Sequence, residues 1–256
     1  MFNHLSNVMP AVAAGFIAIT LSIAPDTVRD RDWVLLPGTL CTANVFDGLL
    51  EAIGVPPDRR HVIELTRPSI DDYAFIMDVS EDTVVCGFSL GAIVAAHWAD
   101  RIEAARLVFF GVNPLADDPE KTGSRLAMME DVQNAGGAAA LSGRLPAFAG
   151  ADPAAARAAA LHMADLAAPR IEAQTRLALS RPGALPALAQ AKCPVFALTG
   201  ENDDMAPAAL GREAAQTAPS GQFHLLPDLG HYALLEDAHA CAEGLMKLES
   251  RHGENA

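Results

Sequence analysis

The stretch Val84-Val85-Cys86-Gly87-Phe88-Ser89-Leu90-Gly91-Ala92 decides the fold that this sequence predicts. An apolar run, typical of a buried strand, ends in Gly-x-Ser-x-Gly, and a run of small and apolar residues with helical character follows at once. The backbones of strand and helix can approach closely because Gly87 and Gly91 have no side chain; any side chain there would clash. The turn therefore exposes the Ser89 hydroxyl and directs the backbone N–H of Leu90 toward the same point.

The pentapeptide alone is a modest signal, because Gly and Ser are also common in ordinary loops at strand ends. A serine nucleophile needs a base within hydrogen-bond reach, and the base needs an orienting acid. The carboxyl ends of parallel strands meet at one edge of a sheet, so the base and the acid should lie in loops that follow later strands. Asp203 follows the apolar run 194–198, and His231 follows the run 222–226. The order along the chain is thus Ser89, Asp203, His231.

Length and composition limit the class of protein. The chain has 256 residues, of which 51% are hydrophobic and 20% charged, enough for one α/β core with an insertion. Lys and Arg number 18 and Asp and Glu 32, which gives a formal net charge of −14 and argues against nucleic acid or an anionic membrane surface as a partner. The four cysteines are scattered without Cys-x-x-Cys spacing, so we expect no metal site.

The order of predicted elements indicates a mainly parallel open α/β sheet with helices on both faces. Apolar runs that predict strands lie at 33–36, 61–65, 83–86, 107–110, 194–198 and 222–226. The alternation of strands with helical patterns stops between Ala116 and Pro186, where Ala, Met, Leu and Arg predominate and only helices are predicted. We therefore divide the chain into a core over 31–115 and 187–256 and an inserted helical lid over 116–186.

Residues 1–30 form an N-terminal extension whose role the sequence leaves open. Val8 to Ala24 is almost wholly apolar and is similar to a signal peptide with a cleavage site at Ser22-Ile23-Ala24, but no Lys or Arg precedes it. The run is short and interrupted for a membrane span. A leading strand over 16–21, or an extension without a structural role, are the alternatives. We favour a cytoplasmic protein without stable membrane insertion, and the oligomeric state is not predicted.

Four pieces of the chain resemble the α/β-hydrolase superfamily, and they occur in the order of that fold. The pieces are Leu35-Leu36-Pro37-Gly38-Thr39-Leu40, Gly87-Phe88-Ser89-Leu90-Gly91, Gly200-Glu201-Asn202-Asp203 and Gly230-His231. The resemblance covers about residues 33–249, and within the superfamily the chain resembles small carboxylesterase-type members. It implies Ser89 as the nucleophile, His231 as the base and Asp203 as the orienting acid. It also implies an oxyanion hole formed by the backbone N–H groups of Leu90 and Thr39.

Two features of these pieces leave alternatives open. Many members have His-Gly where this chain has Pro37-Gly38, which keeps the backbone donor but removes a side chain that often braces the loop. Asp204 is the rival of Asp203 as the acid, since a strand-end loop can be shifted by one residue. Some members place the acid after the preceding strand, where this chain has Asn113, with Asp117 further along.

The activity that the resemblance implies is cofactor-independent hydrolysis of a small-molecule carboxylic ester with a small to medium acyl group. Thioester hydrolysis, cleavage of methyl esters on carrier-bound acyl chains and C–C bond hydrolysis use the same triad, and the fold also serves non-catalytic ligand receptors. The lid is expected to set the substrate. One of its basic residues, Arg144, Arg170 or Arg176, could anchor a carboxylate, although exposure on a helix surface is the commoner explanation.

Overall fold

The fold is known from a computed structural model, which describes residues 28–255. Of the N-terminal extension, only Val28–Asp30 belongs to this part of the chain, and it forms a short 3-10 helix. The signal-like segment over 8–24 and the alternative leading strand over 16–21 lie outside the described residues.

Six strands form one sheet in the order β2-β1-β3-β4-β5-β6, and every neighbouring pair is parallel. The strands are β1 (Trp33–Leu36), β2 (Arg60–Val62), β3 (Val84–Phe88), β4 (Arg106–Phe110), β5 (Val195–Gly200) and β6 (Gly221–Leu226). Strands β1, β3 and β5 are buried along their whole length, as parallel strands covered on both faces should be. The predicted parallel α/β fold is confirmed, and β2 is a shorter edge strand than the predicted 61–65.

Helices cover both faces of this sheet. They are α1 (Asp47–Ile53), α2 (Leu90–His97), α3 (Thr122–Ala135), α4 (Gly137–Ser142), α5 (Pro153–Ala167), α6 (Ile171–Ser180), α7 (Leu185–Leu188), α8 (Ala208–Thr217), α9 (Ala233–Glu236) and α10 (Ala238–Asn255). Alternate residues of β1 point to opposite faces: Val34 packs in a cluster with α2 and α8, and Leu35 in a cluster with α1 and α10. Within residues 28–255, no helix combines the length and the apolar composition of a membrane span.

Two predicted helices differ in detail from the observed ones. The segment predicted as a helix from Ser69 to Val79 is a 3-10 helix over Ile70–Asp78, which begins with the capping box of Ser69 and Asp72. The predicted helix over 234–248 is divided into α9 and α10. The division lies at Asp237, whose backbone is not helical and whose side chain accepts a hydrogen bond from the N–H of Ala240, as an N-cap does.

Helices α3 to α7 lie between β4 and β5, in the segment predicted as an insertion. Some apolar residues of α3 to α6 form a separate cluster that includes Leu40, which follows β1, and others join the clusters on the two faces of the sheet. The inserted helices therefore pack against the loop at the carboxyl end of β1, at the same edge of the sheet as the turn after β3.

The contact between β1 and α2 leaves no room for a side chain. A Cβ on Gly91 would lie 1.9 Å from the carbonyl oxygen of Leu36 and 2.7 Å from that of Pro37. A Cβ on Gly87 would lie 2.4 Å from Cα of Ala92. Both glycines are thus required by the close approach of strand and helix backbones, as the sequence pattern predicts.

We expect the substitution Gly91→Ala to lower the free energy of unfolding by about 3 kcal/mol or more, because the new methyl group meets backbone atoms that cannot move alone. Urea unfolding followed by circular dichroism measures the change. The matched control is Gly123→Ala on α3, where a Cβ meets no atom within 4 Å. This control should be neutral or stabilising by up to about 1 kcal/mol. Equal stability of the two variants would contradict the proposed packing constraint.

Candidate active site

Ser89 lies at the junction of β3 and α2 in a conformation that is unfavourable for a residue with a side chain. Its φ is +51° and its ψ is −116°. Strain of this kind persists only where the surrounding structure enforces it, as the packing of β1, β3 and α2 does here. The residue lines a cavity of about 580 Å³ at the carboxyl edge of the sheet.

His231 connects Ser89 to a buried carboxylate. Its Nε2 lies 3.1 Å from Oγ of Ser89, and its Nδ1 lies 2.8 Å from Oδ2 of Asp203. The side chains of His231 and Asp203 are 4% and 1% exposed. Because the carboxylate accepts the hydrogen of Nδ1, Nε2 of the neutral ring is left to accept the hydrogen of the serine hydroxyl.

The other oxygen of the Asp203 carboxylate is fixed by the backbone. Oδ1 accepts hydrogen bonds from the N–H groups of Met205 and Ala206, at 2.9 and 2.8 Å. The neighbouring Asp204 is exposed on the cavity wall. The structure thus brings Asp203 together with Ser89 and His231 and leaves Asp204 outside this chain of hydrogen bonds.

The loop after β1 passes directly beside Ser89. A Cβ on Gly38 would lie 3.0 Å from Cβ of Ser89 and 3.1 Å from the ring of Phe88. Thr39, the next residue, lines the same cavity as Ser89. Leu90 is the first residue of α2, so its N–H has no acceptor within the helix. The two predicted oxyanion donors therefore belong to backbone segments on either side of the serine.

A side chain of the inserted helices holds the loop after β1. Leu40 is buried with φ +55°, and its N–H donates a hydrogen bond to Oε1 of Gln174 at 3.0 Å. Gln174 lies on α6 and is 1% exposed. The sequence analysis missed this residue. The signal was a polar side chain on the apolar face of a helix, at i+3 from Ile171 and i−4 from Ala178.

Glu236 supports the loop that carries His231. Its Oε2 accepts a hydrogen bond of 2.6 Å from the N–H of Gly230, and the residue is 6% exposed. Burial raises the pKa of this carboxyl above its ordinary value, and the charge of Asp203 adds to the shift. The sequence analysis missed this residue as well, although an acidic residue at the end of the apolar run Ala233 to Leu235 was a visible signal.

The wall of the cavity is partly apolar and partly charged. Its apolar side chains include Leu115, Met128, Leu141, Met205 and Leu210. The three arginines proposed as carboxylate anchors do not line it: Arg144 pairs with Asp131, Arg170 with Glu64 and Arg176 with Glu172. The anchoring role considered for them is therefore not supported, and the side chains of Arg144 and Arg176 are exposed, as the commoner explanation predicts. The arginines that do line the cavity are Arg125 and Arg181.

The thiol of Cys41 lies in the loop after β1, two residues after Thr39. It is buried, and burial raises its pKa to about 12, so it remains a neutral thiol at physiological pH. Within the part of the chain that the structure describes, no group of three or more His, Cys, Asp or Glu side chains is arranged to hold a metal ion. Ser89 is the residue whose hydroxyl meets a ring nitrogen of His231 at this edge of the sheet.

Comparison with protein families gives a match over residues 4–244 to the model described as the alpha/beta hydrolase family. Comparison with curated proteins gives no match.

Several solved structures share the fold. A thermophilic esterase from Thermogutta terrifontis, with malate bound, is 20% identical with a TM-score of 0.71, over 87% of this chain and 90% of its own. A carboxylesterase of Nitrososphaera gargenis is 15% identical with a TM-score of 0.71, over 90% of this chain and 93% of its own. The enol-lactonase of Burkholderia xenovorans LB400 is 19% identical with a TM-score of 0.67, over 86% of this chain and 92% of its own. At these identities the likeness concerns the fold.

The raised pKa of Glu236 predicts a stability that depends on pH. The folded chain binds this proton more tightly than the unfolded chain, in which the carboxyl titrates near its ordinary value of 4.5. The stabilisation of the folded state by this tighter proton binding is complete below pH 4.5 and is lost as the pH rises through the pKa of Glu236 in the folded state. The variant Glu236→Gln should therefore gain stability relative to the wild type between about pH 5 and pH 8.

Urea unfolding of both proteins at the two pH values measures this gain. Glu243→Gln, which changes an exposed residue of α10, is the matched control and should differ from the wild type equally at both. A difference between Glu236→Gln and the wild type that does not change with pH would contradict the prediction.

Proposed function

Because the chain belongs to the alpha/beta hydrolase family, we propose that it is a serine hydrolase that cleaves a carboxylic ester of a small to medium acyl group. The observation that carries the proposal is the continuous set of hydrogen bonds from Ser89 through His231 to the buried Asp203. Ester hydrolysis by such a triad needs no metal or organic cofactor. The cavity of about 580 Å³ suits a small-molecule substrate, and its apolar side chains suit an acyl chain.

In the proposed reaction, Oγ of Ser89 attacks the ester carbonyl carbon while its proton passes to Nε2 of His231. The carbonyl oxygen becomes an oxyanion and accepts hydrogen bonds from the N–H groups of Leu90 and Thr39. The bond to the leaving alkoxide then breaks, and His231 returns the proton to it, which releases the alcohol and leaves an acyl-enzyme.

The second half of the reaction repeats these steps with water as the nucleophile. His231 takes a proton from water, the resulting hydroxyl attacks the acyl carbon, and the bond to Oγ of Ser89 breaks with return of the proton to that oxygen. The acid product leaves, and the site is restored. Asp203 keeps the hydrogen on Nδ1 of His231 throughout and stabilises the imidazolium that forms twice in each cycle.

Other activities on the same residues define the outcomes of a substrate test. Thioester hydrolysis, methyl-ester cleavage on a carrier-bound acyl chain and C–C bond hydrolysis would all use Ser89 and His231. A non-catalytic receptor would keep the cavity but would not form a covalent bond at Ser89. Labelling of Ser89 by a fluorophosphonate, and loss of labelling in His231→Ala, supports the enzyme; ligand binding without labelling supports the receptor.

The proposal predicts that Ser89→Ala loses at least about a thousandfold in kcat on a short p-nitrophenyl ester, because the nucleophile is absent. Asp203→Asn should lose on the order of 10³- to 10⁴-fold, because the amide can no longer hold the required tautomer of His231.

The matched control for this series is Asp204→Asn, which makes the same chemical change at the adjacent exposed position and should retain kcat within about threefold. Undiminished turnover by Ser89→Ala would contradict the assignment of the nucleophile. A larger loss in Asp204→Asn than in Asp203→Asn would instead move the role of the acid to Asp204.

We also expect Gln174 to act on turnover through the loop that carries Thr39. The variant Gln174→Met keeps the length of the side chain but leaves the buried N–H of Leu40 without its acceptor. A shifted loop weakens one oxyanion donor, and kcat should fall on the order of tenfold or more.

The conservative variant Gln174→Glu keeps an oxygen acceptor at the same distance and should retain more of the activity than Gln174→Met. Urea unfolding of both variants shows whether each is folded under the conditions of the assay. A folded Gln174→Met with the kcat of the wild type would contradict this role of the hydrogen bond.

A further inference from the structure

A group of buried and partly buried charges shares the cavity with Ser89. Asp117, in the segment after β4, accepts hydrogen bonds from Arg125 on α3: Nε donates to Oδ2 at 2.8 Å and Nη2 to Oδ1 at 2.5 Å. Arg181, directly after α6, reaches Oδ1 of the same carboxylate with its Nη1 at 2.8 Å. Arg125, Arg181 and Asp117 all line the cavity.

This group carries one unbalanced positive charge, because two guanidinium groups share a single carboxylate. The side chains of Asp117 and Arg181 are only 5% and 3% exposed and that of Arg125 is 29% exposed, so solvent screens that charge only in part. Lys121 lines the cavity as well, four residues before Arg125. The other acidic residues of the wall are exposed: Asp118, which accepts a hydrogen bond from the N–H of Glu120, and Asp204.

One nitrogen of the Arg181 guanidinium lacks a hydrogen-bond partner in the part of the chain that the structure describes. Its Nη1 is bonded to Asp117 and to the carbonyl oxygen of Ala178, but its buried Nε has no partner among the described residues. Burial lowers the pKa of Arg181, and the attraction of Asp117 opposes this shift. A further anion in the cavity would therefore be favourable for this guanidinium.

We propose that Lys121, Arg125 and Arg181 form a subsite for a carboxylate at the end of the acyl group that is remote from Ser89. The substrate class is then a half-ester of a dicarboxylic acid. The planar guanidinium group of arginine matches a carboxylate through paired N–H donors. The apolar side chains in the wall of the same cavity suit the methylene groups between the two ends. This inference rests on the proposed ester hydrolysis.

The alternative is a purely structural role, in which the ion pairs of Asp117 with Arg125 and Arg181 only join the segments between β4 and β5 to one another. The two possibilities differ in what they predict for substrates of different charge. A purely structural role would change the hydrolysis of neutral and anionic esters by the same factor. A binding role would change the preference between them.

The test compares p-nitrophenyl hydrogen adipate with p-nitrophenyl hexanoate, which has the same chain length and no carboxylate. We expect the wild type to have a kcat/KM at least about tenfold higher for the adipate ester, the gain typical of hydrogen bonds to a charged group. The variant Arg125→Gln should lower this ratio about tenfold. Lys121→Glu, a charge reversal at an exposed position where folding is not at risk, should lower it at least threefold.

The matched control is Lys247→Glu, which makes the same charge reversal at an exposed position on α10, outside the cavity, and should leave the ratio unchanged. Turnover of hexanoate by the wild type without preference for adipate would overturn the subsite and leave the proposed hydrolysis intact. An equal loss for both esters in Arg125→Gln would also overturn it.

A binding measurement tests the subsite independently of turnover. Calorimetric titration of the wild type with free adipate and with hexanoate should give a Kd for adipate at least about tenfold lower, and Arg125→Gln should remove the difference. If the wild type hydrolyses neither ester, the proposed hydrolysis fails. The titration then still decides the subsite, which is overturned if adipate binds no more tightly than hexanoate.

Discussion

The first turn of α2 lies so close to the end of β1 that only hydrogen fits between them, and the arrangement of the site depends on this contact. A Cβ on Gly91 would come within 1.9 Å of the Leu36 carbonyl oxygen. The turn after β3 is therefore locked against the loop that leaves β1, which places Ser89 beside Thr39. The strained backbone of Ser89 is the local result of this packing, and the loops after β5 and β6 bring Asp203 and His231 to the same place.

The general plan of this arrangement could be predicted from the sequence because it follows from short, local patterns. Apolar runs at the spacing of strands, separated by helical patterns, predict a parallel sheet, and the six observed strands lie where those runs occur. In such a sheet all carboxyl ends share one edge, so residues that follow strands meet without further information. Local patterns locate the strands, and this geometric rule then predicts that Ser89, Asp203 and His231 lie together, although they are far apart in the sequence.

The contacts that the sequence did not predict join residues that no local pattern relates. Gln174 and Leu40 are 134 positions apart, and their pairing depends on how α6 packs against the loop after β1. The three arginines first considered as anchors lie, like Arg125 and Arg181, in or beside the helices between β4 and β5. What separates the two groups is position: Arg125 and Arg181 line the cavity, and the other three meet carboxylates elsewhere once the helices are packed. The apolar periodicity predicts one continuous helix through Asp237. The helix is divided there because the side chain of Asp237 accepts a hydrogen bond from the N–H of Ala240 and so caps a new helix.

The hydrogen bond between Gln174 and Leu40 has a consequence for how such proteins can diversify. Helices inserted between two strands are often treated as an interchangeable module, which recombination or design could replace to change what enters the cavity. Here the module also braces a backbone loop beside Ser89. An exchanged segment without a glutamine at this position would alter the loop together with the cavity. In the proposed hydrolase, this hydrogen bond would couple selectivity to rate, and an exchange must carry the α6 residue that bonds Leu40 along with the new wall.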